Sequence, residues 1–327
     1  MPKMSRQLFS FAVLLLLFFL MCCGAGVAED AKKRKPTPSK EMEIFVPQKT
    51  EVTLKSGDSR KTKVASFNVP AAVGVAEDML VVFAEAQYTH FTDTDVDIIA
   101  AYGASSSDAW KTQLAVEMDK SSNFSSFAVS PTAVARNDKI YLLVKSEKLA
   151  KGDSDLADGA DTWDIKLAVG DVTGTGEGAT INWQVPTSLK SAFDAVMKKN
   201  EWNTLSGGGG AGIVAKGGIL MLPVTAEKEN TFFSTIAHST DGEKWVVSSG
   251  ATTKGCTDPA IVEWEDGKVL MSTPCNDGVR RVTSRATWGR HGRRRSGHSH
   301  ACGATHPIAR TPASRVDLLL RRLMGVK

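Results

Sequence analysis

The sequence has few cysteines and lacks the motifs that indicate a metal centre. Only five cysteines occur in 327 residues, and none belongs to a Cys-x-x-Cys pair or to a His/Cys cluster with metal-ligand spacing. We therefore predict no bound metal and no cofactor. Cys22 and Cys23 lie in an N-terminal apolar run, which leaves Cys256, Cys275 and Cys302. Three cysteines make no disulfide framework, although Cys256 and Cys275 flank a predicted hairpin and could form one bridge.

The glycine-rich run at residues 206–212 also lacks the features of a phosphate-binding loop. It does not end in Gly-Lys-Ser/Thr, and no helix N-terminus follows it. Glycine has no Cβ and lets the backbone approach a neighbouring element closely. We predict a flexible or close-approach loop before a strand at Ile213.

Positive charge is concentrated near the end of the chain. The net charge is +4, but residues 281–327 hold ten arginines and one lysine against the single acid Asp317. Removing them from the 40 basic and 36 acidic residues of the chain leaves 29 and 35, a net of −6. A basic tail can bind nucleic acid or an anionic membrane. This tail has no interleaved aromatic residues, helical periodicity or binding motif, so we predict no nucleic-acid partner.

The N-terminus has the pattern of a secretory signal peptide. Lys3 and Arg6 precede an apolar run at residues 9–23 that is short for a membrane span, and Gly26-Val27-Ala28 supplies small residues for cleavage. We predict a cleaved signal over residues 1–28, with a single anchor helix as the alternative. The mature chain is then expected to enter the secretory pathway without a transmembrane span.

The middle of the chain predicts repeated short β-strands. Residues 29–43 are rich in Lys, Pro and Ser and predict a linker. Apolar runs then recur about every 8–12 residues with turn residues between them, which suggests the blades of a β-propeller. One amphipathic stretch at residues 188–200 predicts a helix. Examples of the predicted strands are residues 44–46, 62–67, 79–86, 97–102, 139–145, 164–169, 219–225 and 268–272.

A tight turn with a fixed residue pattern lies at Ser239-Thr240-Asp241-Gly242-Glu243-Lys244-Trp245. Asp241 can accept hydrogen bonds from the N–H groups of the turn, Gly242 tolerates a positive φ, and Trp245 can bury its ring. The pattern resembles the Asp box of sialidases, S-x-D-x-G-x-x-W, although it is one residue short. Residues 102–110 (YGASSSDAW) resemble a second, degraded copy without the turn glycine.

A more specific resemblance lies at residues 256–264, CTDPAIVEW. This string is similar to the C-[ST]-[ED]-P-A-[VI]-[LV]-E-W segment of the trypanosomatid trans-sialidase-like surface glycoproteins. The resemblance covers residues 44–281 and implies an all-β fold. The implied fold is an incomplete six-bladed sialidase-type β-propeller, about its first four blades, followed by a basic irregular tail.

The resemblance also implies where a sialic acid site would lie. Sialidases of this family hold the substrate carboxylate with arginines, and they use an acid/base aspartate and a tyrosine activated by a glutamate. By position, Asp93 matches the acid/base residue and Asp258 the activating carboxylate. For Asp93, with Asp95 and Asp97, a solvated acidic loop is the alternative. The substrate-contacting positions of the family fall on Asn68, Gln87, Ser130 and Pro274.

These substitutions predict a protein without sialidase or trans-sialidase activity. A neutral side chain lacks the charge and the planar fork of a guanidinium group. The family's third carboxylate-binding arginine and its nucleophilic tyrosine lie in a region where the sequence of this chain departs from that of the family. A one-base frame shift near Thr283 restores family-like strings there, so we predict a frameshifted, disordered tail at residues 282–327 without a C-terminal anchor signal.

Three functional hypotheses stay open at this point. The first is an inactive sialidase-like surface or secreted glycoprotein that acts in adhesion or antigenic variation on host glycoproteins or sialoglycans. The second is an active exo-α-sialidase or trans-sialidase acting on sialoglycoconjugates, and the third is a non-functional pseudogene fragment. The sequon Asn123-Phe124-Ser125 predicts a surface glycan at Asn123, which agrees with a secreted or cell-surface location.

Overall fold

Antiparallel strands with two buried faces build most of the molecule. The computed structural model describes residues 42–54, 61–75, 78–88, 95–104, 107–119, 123–150, 162–264 and 267–286. Strand Lys139–Ala150 shows the pattern: Ile140, Leu142 and Val144 pack into one hydrophobic cluster, whereas Tyr141 and Leu143 pack into another. Because successive side chains of a strand point to opposite faces, such a sheet is covered on both sides.

The first two blades share one 11-stranded sheet. Blade 1 contains β1 (Glu51–Thr53), β2 (Lys61–Val75), β3 (Met79–Tyr88), β4 (Val96–Ala104) and β5 (Lys111–Val116), each antiparallel to the next. Blade 2 contains β6 (Phe124–Arg136), β7 (Lys139–Ala150) and β8 (Trp163–Thr173), with β9 (Thr180–Trp183) and β10 (Thr187–Ser188) both paired to β8. A single parallel pair, Val96 with Phe127, joins the two blades.

A helix leads from the second blade to the third. Helix α1 (Lys190–Asn200) buries Phe193 and Met197 and ends at Glu201, whose φ of 57° is left-handed. Blade 3 follows, with β11 (Thr204–Gly207), β12 (Gly210–Ala211), β13 (Ile213–Ala215), β14 (Ile219–Lys228), β15 (Thr231–Ser239) and β16 (Val246–Val247). Strands β11 and β13 both pair with β14, whereas β12 crosses to pair with β6 in blade 2.

The last described blade has three strands. They are β17 (Ala260–Glu263), β18 (Lys268–Pro274) and β19 (Arg280–Ala286), in that order across the sheet. Separate hydrophobic clusters lie between blades 1 and 2, between blades 2 and 3 with α1, and between blades 3 and 4. Successive antiparallel blades with a core between each pair are the arrangement of a β-propeller. The predicted all-β, partial propeller is confirmed.

Most predicted elements are present, and the differences have local causes. The predicted strand at residues 44–46 is wrong: Val46 instead accepts the N–H groups of Lys49 and Thr50 in a turn, because Pro47 interrupts the apolar run. The glycine-rich run is not one loop, since it contains the end of β11 and all of β12. The predicted helix is confirmed at Lys190–Asn200.

Strand β19 runs past residue 281, where the sequence analysis ended the propeller. Val282 pairs with Ser272 and Ser284 with Leu270. Strands pair through backbone N–H and C=O groups, so this pairing does not require the side chains typical of the family. The β-branched residues Val282 and Thr283 also favour a strand. Residues 287–327 of the predicted tail, residues 1–28 of the predicted signal and most of the predicted linker lie outside the described residues. Within the described ranges, no helix is long and apolar enough to cross a membrane.

A disulfide joins Cys256 to Cys275 in blade 4. The two residues also form an isolated antiparallel bridge, so the covalent link extends the pairing of β17 with β18. The hydroxyl of Ser234 in blade 3 donates to the carbonyl oxygen of Cys256 at 3.0 Å. The disulfide between Cys256 and Cys275, which the sequence analysis considered possible, is therefore present, and it lies against the neighbouring blade.

The glycine-rich run brings backbones into direct contact. A Cβ on Gly207 would lie 2.2 Å from Thr132 Oγ1 and 2.3 Å from the Ser130 carbonyl oxygen. A Cβ on Gly212 would lie 2.2 Å from the Met221 carbonyl oxygen. The close-approach prediction is confirmed at these two positions, because only glycine leaves room for the adjoining strands.

Replacing both bridging cysteines (Cys256→Ala with Cys275→Ala) removes a cross-link between residues 19 apart in sequence. A bridge closing a loop of this size stabilises the folded state by about 3 kcal/mol, largely by restricting the unfolded chain. We expect the double variant to unfold at a lower urea concentration in a chemical denaturation series. Cys302→Ala is the control and should keep the wild-type midpoint. An unchanged midpoint in the double variant would contradict the prediction.

Gly207→Ala should destabilise the protein by about 1–3 kcal/mol, because the added methyl group overlaps backbone and side-chain atoms of β6. Gly210→Ala is a matched control three residues away, since a Cβ there meets nothing within 4 Å. Thermal unfolding of the two purified variants gives the comparison. Equal melting temperatures would show that the inner strands are not in close contact.

Candidate functional site

Three residues with positive φ occupy similar positions in different blades. Val69 in β2 has a φ of 42°, Ser130 in β6 has 56°, and Asp258 just before β17 has 49°. Each one directly precedes a proline, which normally pushes the preceding residue into an extended conformation. Backbone outliers of this kind cost about 1–3 kcal/mol each and cluster at binding and catalytic sites. They mark the candidate site, which we name the rim.

The rim in blades 1 and 2 is organised around a buried carboxylate. Asn68 is exposed at a β-bulge in β2 and pairs with Glu85 of the adjacent strand. Glu85 Oε1 accepts the backbone N–H of Ser130 at 2.8 Å. Burial raises the pKa of Glu85, and the Ser130 N–H partly opposes that shift. The predicted positions Asn68 and Ser130 therefore meet at Glu85.

The rim in blade 4 combines Asp258 with Pro274. The N–H of Thr257, next to Asp258, donates to the Pro274 carbonyl oxygen at 3.1 Å. Asp258 itself is exposed, and its own N–H donates to Thr225 Oγ1 at 3.3 Å. Pro274 is the last residue of β18 and pairs with Arg280. The disulfide lies directly beside both positions, since Cys256 and Cys275 flank them in sequence.

The glycine-rich run connects the two parts of the rim. Gly207 contacts Ser130, and the N–H of Gly209 donates to Thr132 Oγ1 at 3.0 Å. A Cβ on Gly208 would lie 2.9 Å from the Pro259 carbonyl oxygen, next to Asp258. The structure thus places Asn68, Ser130, Asp258 and Pro274 along one continuous line of contacts across the inner strands.

The remaining predicted site residues have different environments. Gln87 is half-buried on β3, where its Oε1 accepts the hydroxyl of Ser66 at 2.8 Å. Asp93 lies outside the described residues. The solvated acidic loop proposed as the alternative is wrong for Asp95 and Asp97, which are 4% and 0% exposed.

Asp95 and Asp97 are structural carboxylates. Asp95 Oδ1 accepts the N–H of Ser126 at 2.7 Å, and Asp97 Oδ1 accepts the N–H of Met118 at 2.8 Å. Burial and the nearby Asp97 carboxylate raise the pKa of Tyr88. Both aspartates bind backbone groups that lie far away in sequence, so their roles depend on the assembled sheet.

Sequence reasoning missed the role of Glu85. It lies within a predicted strand at residues 79–86, but nothing in a single sequence marks it as buried beside Ser130. The recurring residue-proline pairs at Val69, Ser130 and Asp258 were a usable indication of equivalent bends. Among the described residues, no group of three or more His, Cys, Asp or Glu side chains could hold a metal ion.

The Asp-box turn lies at the β15–β16 connection, apart from the rim. Asp241 Oδ1 accepts the N–H groups of Lys244 at 2.8 Å and Glu243 at 2.9 Å, and the Ser239 hydroxyl at 3.0 Å. Trp245 is 3% exposed and donates from Nε1 to the Gly242 carbonyl oxygen at 3.1 Å. The turn orders its own backbone and anchors blade 3.

The neighbouring blade holds this turn in place. Arg136 donates from Nη1 to the Thr240 carbonyl oxygen and from Nη2 to that of Asp241, both at 2.9 Å. A Cβ on Gly242, whose φ is 89°, would lie 2.4 Å from the Tyr141 hydroxyl oxygen. The guanidinium group of Arg136 therefore has a structural role in the part of the chain described.

The degraded Asp box keeps one contact of the intact turn. Trp110 Nε1 donates to the Ser107 carbonyl oxygen at 3.1 Å, three residues earlier, as Trp245 does to Gly242. Residues 105 and 106 lie outside the described residues. Asn123 of the predicted sequon is exposed and directly precedes β6.

The sequence model of the BNR repeat-like domain family matches residues 69–291. A Trypanosoma cruzi sialidase is 36% identical over 201 residues, which cover 59% of this chain and 17% of that protein. Sialidase 85-1.1 of Trypanosoma cruzi is 29% identical over 296 residues, covering 81% of this chain and 38% of that protein.

Solved structures of a sialidase are also similar to this chain. The Trypanosoma rangeli sialidase superposes with TM-scores of 0.65 in complex with the inhibitor DANA and 0.63 in complex with sialic acid. Both comparisons have 30% sequence identity and cover 75% of this chain and 40% of the sialidase. The chain therefore spans less than half the length of these relatives.

Asp241→Asn tests the charge in the Asp-box turn. The N–H groups of Lys244 and Glu243 and the Ser239 hydroxyl lower the pKa of Asp241 to about 2, against about 3.9 in an unfolded chain. Stability from the charged form is complete above the unfolded value and is lost as the pH falls from about 4 to about 2.

The asparagine variant should be less stable than the wild type at neutral pH, and the difference should shrink across that acidic window. Urea denaturation midpoints at several pH values measure it. Glu243→Gln, in the same turn, is the control and should keep the wild-type acid dependence. A difference that stays constant with pH would show that the charge of Asp241 does not matter.

Proposed function

Because the chain belongs to the BNR repeat-like domain family and is trans-sialidase-like, we propose that it is a sialidase-like propeller protein that neither hydrolyses nor transfers sialic acid. We propose further that it acts as a surface or secreted glycoprotein, in adhesion or antigenic variation. The observation that carries the proposal is that the positions matched to the family's arginines hold neutral residues. Those positions hold Asn68, Gln87 and Pro274.

Recognition of a sugar carboxylate depends on paired charge. An arginine offers two parallel N–H donors and a permanent positive charge, which together bind a carboxylate strongly and in one orientation. Asn68 is exposed at the bulge, and its side-chain amide offers only neutral donors without the planar fork and the charge of a guanidinium group. Losing a buried charged partner costs about 2–5 kcal/mol of binding free energy.

The other positions matched to arginine do not compensate for this loss. Gln87 is engaged with the hydroxyl of Ser66, and Pro274 offers no side-chain donor. Arg280, the nearest guanidinium to Pro274 in sequence, donates to Ser272 Oγ at 3.5 Å, and Arg281 forms an ion pair with Asp277. These contacts support a rim without the convergent positive charge that sialic acid requires.

The acidic groups of the rim favour the same conclusion. Asp258 is exposed and keeps the negative charge of the glutamate that it matches in the family, but its carboxylate reaches about one methylene less far. Glu85 is already used by the Ser130 N–H. Ser130 supplies a hydroxyl where the family has a second pocket aspartate. The rim therefore lies on a sialidase-like scaffold, with side chains that differ from those of the family.

A location in the secretory pathway agrees with three features. The N-terminal 28 residues have the pattern of a cleaved signal, Asn123 is exposed at the start of β6, and Cys256 and Cys275 form a disulfide. Disulfides persist in oxidising compartments. We therefore propose a secreted or cell-surface glycoprotein with glycan or glycoprotein ligands.

Purified, secreted protein should release no sialic acid from a fluorogenic sialoside or from sialyllactose, and should transfer none to lactose. The Trypanosoma rangeli sialidase serves as the positive control for hydrolysis under identical conditions. The physical reason is the absence of arginines at the positions that bind the sugar carboxylate, which affects both hydrolysis and transfer. Release or transfer that depends on Asp258, and is lost in Asp258→Asn, would overturn the proposal in favour of an active enzyme. Failure to detect any secreted protein would favour a non-functional gene product.

A further inference from the structure

The two ends of the Cys256–Cys275 disulfide have different exposure. Cys256 is fully buried, with 0% of its surface exposed, whereas Cys275 is only half-buried. An external thiol can therefore approach Cys275 Sγ more readily than Cys256 Sγ. Access to the attacked sulfur is one of the factors that set the rate of thiol–disulfide exchange. The bridge thus has one accessible end and one enclosed end.

The enclosed sulfur has a cation and a hydroxyl group beside it. Arg281 Nη1 lies 4.0 Å from Cys256 Sγ, and Thr253 Oγ1 lies 3.6 Å from the same sulfur. A guanidinium group and a hydroxyl donor both stabilise a thiolate, which is the form in which a sulfur leaves during exchange. The Cys256 sulfur is therefore placed to leave with the electron pair of the broken bond.

The accessible sulfur has different neighbours. Cys275 Sγ lies 3.8 Å from the carbonyl oxygen of Thr273 and 4.0 Å from the hydroxyl oxygen of the same residue. A carbonyl oxygen carries partial negative charge and opposes a thiolate beside it. These neighbours favour a thiolate less than the guanidinium group at Cys256 does, so the two sulfurs are suited to different roles.

Backbone hydrogen bonds lie on both sides of the bridge. The Thr257 N–H donates to the Pro274 carbonyl oxygen at 3.1 Å, and the Asn276 N–H donates to the Gly255 carbonyl oxygen at 2.8 Å. Breaking the bridge removes one covalent link and leaves these backbone groups paired, so the two thiols stay near each other. Exchange at this position is therefore reversible and needs no unfolding of blade 4.

From these features we propose that the disulfide is an exchange site for a dithiol reductant, with Cys275 as the attacked residue and Cys256 as the leaving thiolate. A thiolate of the reductant attacks Cys275 Sγ and forms a mixed disulfide, while the Cys256–Cys275 bond breaks and its electron pair goes to Cys256 Sγ. The second thiol of the reductant then attacks its own sulfur in the mixed disulfide and releases Cys275. The reductant ends as a disulfide, and its two protons end on the two cysteines.

The exchange site adjoins the rim in blade 4. Asp258 lies two residues after Cys256, and Pro274 directly precedes Cys275. Reduction therefore releases the covalent link between these two parts of the rim. The inference goes beyond the proposed function, because exchange requires neither catalysis nor sugar binding by the rim.

Reaction with the monothiol glutathione identifies the attacked sulfur. Free thiols of the purified full chain are first blocked with iodoacetamide and the reagent is removed. Glutathione is then added without denaturant, the reaction is stopped with acid, and new thiols are alkylated with N-ethylmaleimide in urea at mildly acidic pH. Trypsin cleaves after Lys254, Lys268 and Arg280, so each cysteine lies on its own peptide for mass spectrometry.

We expect glutathione on Cys275 and N-ethylmaleimide on Cys256 as the first product. The reverse pattern, an even mixture of the two patterns, or a bridge that resists glutathione in the folded protein would overturn the proposal.

Two variants separate the charge of Arg281 from a structural role. Arg281→Gln should slow reduction by dithiothreitol roughly fivefold, because the leaving thiolate loses its cation. Asp277 forms an ion pair with Arg281 and partly offsets its charge, so Asp277→Asn should make reduction faster. Both variants lose the same ion pair, and a purely structural role would change both rates in the same direction. That result would refute the role of the guanidinium group.

The neighbouring arginine supplies a matched control. Arg280 donates to Ser272 Oγ at 3.5 Å and precedes Arg281 directly in β19. Arg280→Gln removes the same charge from the chain, but it should change the reduction rate by less than about twofold, because the effect depends on a cation next to the leaving sulfur. Equal slowing in both arginine variants would show that only the overall charge matters and would refute the assignment.

Gly207→Ala distinguishes local exchange from exchange in the unfolded chain. This change weakens the packing of blade 3 on blade 2, away from the bridge. We expect an unchanged reduction rate, whereas a rate that rises with the loss of stability would show that the bridge reacts only after unfolding and would overturn the proposal. The sialoside assay uses neither glutathione nor dithiothreitol, so failure of the proposed function and failure of the exchange site are separate results.

Discussion

The close contact between inner strands is the constraint on which the rest of this fold depends. Gly207 lies against the backbone of Ser130, and Gly212 against that of Met221, with no space for a Cβ at either position. The contact of Gly207 with Ser130, and the Gly212 N–H donated to the Ala133 carbonyl oxygen at 2.7 Å, bring blade 3 against blade 2, where β12 pairs with β6. The hydrophobic clusters between blades can then close around side chains such as Phe193 and Leu222. Without glycine here, the blades would have to separate.

The rim is a consequence of that packing. The bends at Val69, Ser130 and Asp258 have an unfavourable backbone conformation before proline, and the surrounding sheet holds them. Val69 and Ser130 lie where strand pairing is interrupted, and the paired residues on either side, together with the Glu85 carboxylate that accepts the Ser130 N–H, hold the bends. A sialidase scaffold can therefore be retained while its charged side chains are replaced. Backbone conformation and side-chain charge can therefore change independently, and on this basis we propose a rim without catalytic activity.

Acidic residues in this chain have roles that only their surroundings distinguish. Asp241 is exposed, and its carboxylate organises a turn within a few residues, so its role follows from the local pattern. Asp95 and Asp97 also look like members of a polar loop in sequence, yet they are buried and bind the N–H groups of Ser126 and Met118. Those partners lie 21 and 31 residues from the aspartates that they contact, which a local pattern cannot reveal.

Local sequence patterns were enough to predict the all-β class, the helix before blade 3, the Asp-box turn and a flexible or close-approach loop at the glycine-rich run. Each of these depends on residues close together in the chain, through strand alternation, helical spacing or the absence of a Cβ. The contact of Glu85 with Ser130 and the continuation of β19 to Ala286 depend on the tertiary fold. The physical reason is that these contacts join residues from different strands and blades, whose register and stacking are set by the whole assembled core.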